Sequence, residues 1–247
     1  MSIFSLHQNV LERLAGVFWP PSHNMASRFF SLASLTETPE SLAEMERIIS
    51  IRPALSTGDV HSGLTGLMLA AENGNLGMIE LLLPFSDPLA RDAHGRSALL
   101  MALHNISIPM PRLQAIFEAL FPVSDAAAPQ NNGITPLMLA AWAGHSSILA
   151  ALVQRADPNA TSSLGMTALM SAASMGRFKC VEVLLPLSDA SAIDDRGLDA
   201  AFMARMNGHL GIEAYILSFP LARQEREALD AASRPSAKAS SAPGPRL

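Results

Sequence analysis

One pattern of nine residues recurs along this chain and restricts its fold more than any other feature. Gly63-Leu-Thr-Gly-Leu-Met-Leu-Ala-Ala returns as Gly133-Ile-Thr-Pro-Leu-Met-Leu-Ala-Ala and as Gly165-Met-Thr-Ala-Leu-Met-Ser-Ala-Ala. Looser copies start at Gly95 and Gly197, so the leading glycines stand 32, 38, 32 and 32 residues apart. Two more landmarks keep phase with them. Gly74-Asn75, Gly144-His145, Gly176-Arg177 and Gly208-His209 each follow a leading glycine by 11 residues, and Pro84-Phe-Ser-Asp, Pro122-Val-Ser-Asp and Pro186-Leu-Ser-Asp form the third tier. Self-similarity at a period of this length is the signature of stacked repeats.

Each unit reads as two short helices. Leu67, Ala70 and Ala71 share one face of the first, Thr65 is placed to cap its start, and Gly74 to close it in a left-handed turn. Leu76, Ile79, Leu82 and Leu83 line the second, which Pro84 stops. Ser, Asp, Asn and Gly then supply a hairpin-like turn before the next leading glycine. Helices this short cannot bury an apolar face alone, so neighbouring units must stack.

Helix, turn, helix and long turn, with T-P-L-x-L-A-A and G-H, resemble the ankyrin repeat, whose period is about 33 residues with a T-P-L-H-x-A signature. The resemblance covers about two-thirds of the chain, Leu64 to Leu217. It implies an all-α fold, an ankyrin-repeat solenoid of stacked helix–turn–helix units with hairpin-like connecting loops. One departure is that the signature histidine is Met68, Met138 or Met170 here, and Leu100 in the second copy. Apolar packing is expected to replace the polar tie that histidine makes.

The expected organisation is an N-terminal extension over 1–38, partly helical, a degenerate N-terminal cap over 39–60, about five repeats over 61–219, and a short helical extension with a disordered tail over 220–247. Thr38-Pro39-Glu40 is a helix start with Pro at the first helical position, and Leu42, Met45, Ile48 and Ile49 follow on one face. Arg28–Leu35 is expected to be the cap's first helix. The fifth unit departs furthest: Asp199 replaces threonine, Ala201 leucine, and Glu213 stands where Ile79, Leu149 and Val181 stand, which gives a terminal repeat a polar outer face. The interval of 38 rather than 32 is an insertion of six residues, placed by the landmarks in Asn105–Arg112. Pro109 and Pro111 read there as helix-breaking, leaving Ile106, Ile108 and Met110 in an exposed loop. That loop is either a partner contact or a neutral insertion folded onto its own repeat.

Chemistry is hard to place in this chain. The seven histidines have no metal-ligand spacing, and a single cysteine, Cys180, rules out a Cys-rich zinc site or an internal disulfide. Cys180 aligns with Met78, Ile148 and Ile212 and is expected in the core. His145 and His209 occupy the G-H position, which the family uses structurally. Asp194-Asp195 reads as a solvated turn rather than an acid/base pair. There is no glycine-rich phosphate loop, so neither catalysis, metal nor cofactor is expected. A net charge of -5 with no Lys/Arg cluster argues against nucleic acid. No run reaches a membrane span, and the first twenty residues do not read as a secretory leader. The chain is expected to be cytoplasmic and monomeric on its own.

The resemblance implies a binding surface made of turn tips and first-helix ends, on the concave side. Carried over position by position, it comprises His61, Leu64, His94, Arg96, Asn131, Asn132, Ile134, Leu164, Met166 and Arg196 at the tips. Glu72, Asn73, His104, Asn105, Trp142, Met175 and Met206 follow at the helix ends. The row is apolar in its middle and polar at its edges, as interfaces are. Two roles compete. One is a non-catalytic adaptor, scaffold or inhibitor that binds another protein through this face. The other is a structural role in which the amphipathic segment 3–18 docks on a second copy or on a membrane surface.

Overall fold

The structure is a computed structural model that describes residues 23–34, 38–51 and 63–219. The amphipathic segment 3–18, His61 and the stretch 220–247 lie outside the described residues, and with them the expectations placed there. No strand occurs among the described residues. The helices are α1 (His23–Ser34), α2 (Pro39–Ile51), α3 (Gly66–Glu72), α4 (Leu76–Leu82), α5 (Ala98–His104), α6 (Met110–Leu120), α7 (Pro136–Ala143), α8 (Ser146–Leu152), α9 (Ala168–Ser174), α10 (Phe178–Leu184) and α11 (Ala200–Met206). Residues 210–219 form α12.

The first helix of every repeat starts in the same way. Thr65, Ser97, Thr135, Thr167 and Asp199 sit in extended backbone, and each side-chain oxygen accepts the N–H three residues on. Asp199 fills the capping role of the threonine it replaces; any short side chain with an acceptor serves. Inside the helix the Leu-Met-x-Ala-Ala string is buried almost throughout, with Leu67, Leu99, Leu137 and Leu169 no more than 1% exposed. Met68, Met138 and Met170 are buried too, so apolar packing fills the slot of the signature histidine. The repeat ends its first helix on a glycine of positive φ, as at Gly144, φ 89°, which releases the chain into the second helix.

First helices pack on first helices and second helices on second helices along the stack, α3 on α5, α7 on α9 and α4 on α6. The α1–α2 pair continues the stack, with α1 against α3 and α2 against α4. Arg28 and Glu44 tie that pair together at 2.7–2.8 Å. The Phe29 ring is fully buried against Gly66, where a Cβ would stand 2.5 Å from it. That explains why the first repeat has glycine where its siblings have Ala or Pro.

The connecting turns form a second row of contacts. In each, the leading glycine donates to the carbonyl three residues back, and that residue donates to the carbonyl just after the glycine, as in Gly165 to Ser162 and Ser162 to Met166, both 2.9 Å. Successive tips are joined by Asn131 N–H to the His94 carbonyl, Ser163 to Asn132 and Asp195 to Leu164, at 2.8–3.1 Å. Asp87, Asp125, Asp157 and Asp189 each accept the N–H two residues on, which starts every turn with the same local bend.

Four expectations are corrected. The insertion is not a loop throughout Asn105–Arg112: α6 begins at Met110, because Pro111 lies in the first helical turn, where its missing N–H costs nothing. Ile108 is buried and packs beside Gly74, while Asn105 donates to the Glu72 carbonyl at 2.6 Å, so the insertion folds onto the preceding repeat; Ile106 and Met110 stay exposed. Asp194 is not solvated but buried, accepting the N–H groups of Arg196 and Leu198 and the Arg196 guanidinium. The fifth repeat's end is not polar throughout, since Phe202, Leu210 and Leu217 are exposed. The cap's first helix also starts earlier than Arg28, at His23.

Candidate functional site

The turn tips and first-helix ends of consecutive repeats lie side by side, because the stack brings equivalent positions into register. The exposed apolar members are Trp142, Leu164, Met175 and Met206, with Leu164 and Met206 about two-thirds exposed. Ile134 and Met166 are half-buried beneath them and Leu64 likewise in the first repeat. Trp142 is held in place from the next repeat: Arg177 Nε donates to its carbonyl at 3.1 Å. Trp142 is left 38% exposed, a large aromatic residue to keep partly in water.

Polar candidates divide into struts and free groups. Arg96 is bound to the buried Asp92 carboxylate at 2.7–2.8 Å, and Arg196 to Asp194 in the same way. Burial pushes the Asp92 carboxyl up, but the Arg96 guanidinium and the N–H groups of Arg96 and His94 outweigh it, and the group stays below the usual carboxylate range. Asn131 donates to the Ala93 carbonyl, Asn105 to that of Glu72, and Asn73 caps its own helix through Leu69. These side chains hold one repeat to the next or close a helix. The imidazoles of His94 and His104 make no hydrogen bond among the described residues and are exposed, and Glu72 is half-buried.

His94, Arg96, His104, Gln130, Asn131 and Asn132 line one cleft of about 260 Å³ between the second and third turn tips. Five of the six were named from the sequence. Gln130 was missed, although its position carried a signal. Three residues before their glycines, the other described turns have Asp92, Ser162 and Asp194, each an acceptor for the turn's own N–H groups. Glutamine is too long for that duty.

Among the described residues no three His, Cys, Asp or Glu side chains are placed to hold a metal ion. Cys180 is buried and burial pushes its thiol up to about 11, which makes it a poor nucleophile. His145 has its Nε2 buried without a hydrogen-bond partner among the described residues. Burial, and then the charge of Arg177, hold its imidazole below the ordinary 6.5. The folded state thus favours the neutral ring, while the unfolded chain takes up a proton as the pH falls through 6.5, so folding stability is lost on acidification from there downward. Thermal melts between about pH 7.5 and about pH 5.5 should lower Tm more for the natural chain than for His145→Gln. Parallel slopes for the two would contradict this account.

No helix among the described residues is long and apolar enough to cross a membrane. Compared with known families, residues 62–93 match the ankyrin-repeat model and residues 110–196 match a model of ankyrin repeats in three copies. No curated protein matches the chain.

Proposed function

We propose, from the premise that this chain is an ankyrin-repeat protein, that it is a non-catalytic adaptor, scaffold or inhibitor that binds another protein through its turn tips and first-helix ends. Ankyrin repeats are in general protein–protein interaction modules, and a stack of them presents an extended binding surface. The observation that carries the reading is the run of exposed Trp142, Leu164, Met175 and Met206 on consecutive repeats, flanked by polar groups. A Trp is enriched among binding hot spots, and methionines re-pack easily around imperfect partners. We place the protein in the cytoplasm, as a monomer until it meets its partner.

Affinity capture with the full chain, followed by mass spectrometry, identifies the partner, and the variant Trp142→Ala/Met175→Ala then tests the face. Its affinity for the captured protein should fall by about 2 kcal/mol or more, the effect of truncating a hot-spot aromatic. Undiminished binding by a variant that melts normally would move the interface elsewhere.

A further inference from the structure

We propose that the cleft between the second and third turn tips receives the carboxylate of an Asp or Glu side chain on the protein partner. The proposal rests on the reading above that this face binds protein, and names the chemistry that one part of it selects.

The third turn is built differently from its neighbours. In the second and fifth repeats the turn is braced by the carboxylates of Asp92 and Asp194, and in the fourth by the Ser162 hydroxyl. In the third, the brace passes to Asn132, whose Oδ1 accepts the Ile134 N–H at 3.2 Å. The side chain of Gln130 is released from the turn and lines the cleft instead. Asn132 has its amide nitrogen to spare, because its oxygen is the one engaged. Across the cleft stand His94 and His104, which bond to nothing among the described residues, and Arg96, which spends Nε and Nη2 on Asp92.

The inventory of groups decides the ligand class. The lining offers five donor groups: two imidazoles, two amides and the remaining guanidinium nitrogen. The carboxylate of Asp92 is already occupied by Arg96 and by the backbone N–H groups of His94 and Arg96, so it has no need of a cation. The Arg96 charge is balanced in turn, which leaves the site rich in donors yet near neutral. A monoanion with two acceptor oxygens fits that balance, whereas a phosphate dianion calls for uncompensated charge. One repeat farther along, Trp142 occupies the place that His104 holds here. The partner's acid and its apolar anchor should therefore stand about 8–10 Å apart, one helix-to-helix spacing.

The test uses the full chain labelled with ¹⁵N, and N-acetyl-glutamate α-amide as probe, with N-acetyl-glutamine α-amide and inorganic phosphate at matched ionic strength as the other arms. The glutamate probe should shift the side-chain amide signals of Gln130 and Asn132 and the ring signals of His94 and His104 saturably. The glutamine probe should not, and phosphate should bind more weakly. Gln130→Ala/His104→Ala should reduce the glutamate affinity about tenfold, and His104→Gln, which keeps a donor, should restore most of it. Equal shifts from the glutamine probe, no saturable shift, or tighter binding of phosphate would each overturn the proposal. Trp142→Ala/Met175→Ala should keep the glutamate response while losing the captured partner. If capture depends on Trp142 and Met175 but the cleft ignores glutamate, the carboxylate assignment falls and the interaction face stands; if capture ignores both sets, the face itself is wrong.

Discussion

Leu169→Ala is expected to lower the unfolding free energy by about 3 kcal/mol, within the usual range of about 2–5 kcal/mol for deleting a buried leucine side chain. Leu169 is 1% exposed and repeats the role of Leu67, Leu99 and Leu137, one such leucine in each first helix. It lies where α9 meets both α7 and α11, so the cavity would open in two interfaces at once. In a linear stack, stability is nearly a sum of unit and nearest-neighbour contributions, and this lesion weakens a unit together with both of its contacts. Urea denaturation should give a lower midpoint. Hydrogen exchange should show α11 and residues 210–219 losing protection first, since the fifth repeat would lose the neighbour it leans on. A loss under about 1 kcal/mol would mean that the first-helix row is not the stack's core.

The second large effect should come from one atom at a turn tip. Gly165 and Gly197 have nearly the same positive φ, 72° and 78°. An alanine at either pays about 1 kcal/mol for the left-handed backbone. The surroundings differ: a Cβ on Gly165 would meet Asp195 N and Oδ1 at 2.9 Å and Asp194 Cα at 3.0 Å, whereas a Cβ on Gly197 meets nothing within 4 Å. Gly165→Ala must push the fifth turn away and break the bond from Asp195 N–H to the Leu164 carbonyl. Gly165→Ala should therefore cost about 2–4 kcal/mol against about 1 kcal/mol for Gly197→Ala, read from matched urea titrations. Equal costs would remove the stacked tips from the account.

Much of the fold was legible because a repeat shows each position several times over. Leu67, Leu99, Leu137 and Leu169 are one inference made four times, and the Thr caps likewise. What escaped were features that arise between units or from a local exception. Nothing in the repeat pattern accounted for Gly66, which is glycine because Phe29 of the N-terminal helix pair needs the room. Pro109 and Pro111 read as breaking a helix, but near a helix's first turn prolines favour its start. Asp194 read as solvated, since nothing in a pair of adjacent acids announces that one of them turns inward to brace its own loop. At the candidate face, exposure was readable for Trp142 and Met206. The difference between a strut such as Arg196 and an unengaged side chain such as His104 was not, because it depends on which turn atom lies within hydrogen-bonding reach.

The central claim, that the turn tips and first-helix ends hold a protein partner, is tested most directly by a hydrogen-exchange footprint of the full chain with and without the captured protein. The account predicts new protection at residues 93–96, 131–134, 142–144, 163–166 and 174–176, with the outward surfaces of α4, α8 and α10 unchanged. Protection confined to those second helices, with the tips unaffected, would contradict it.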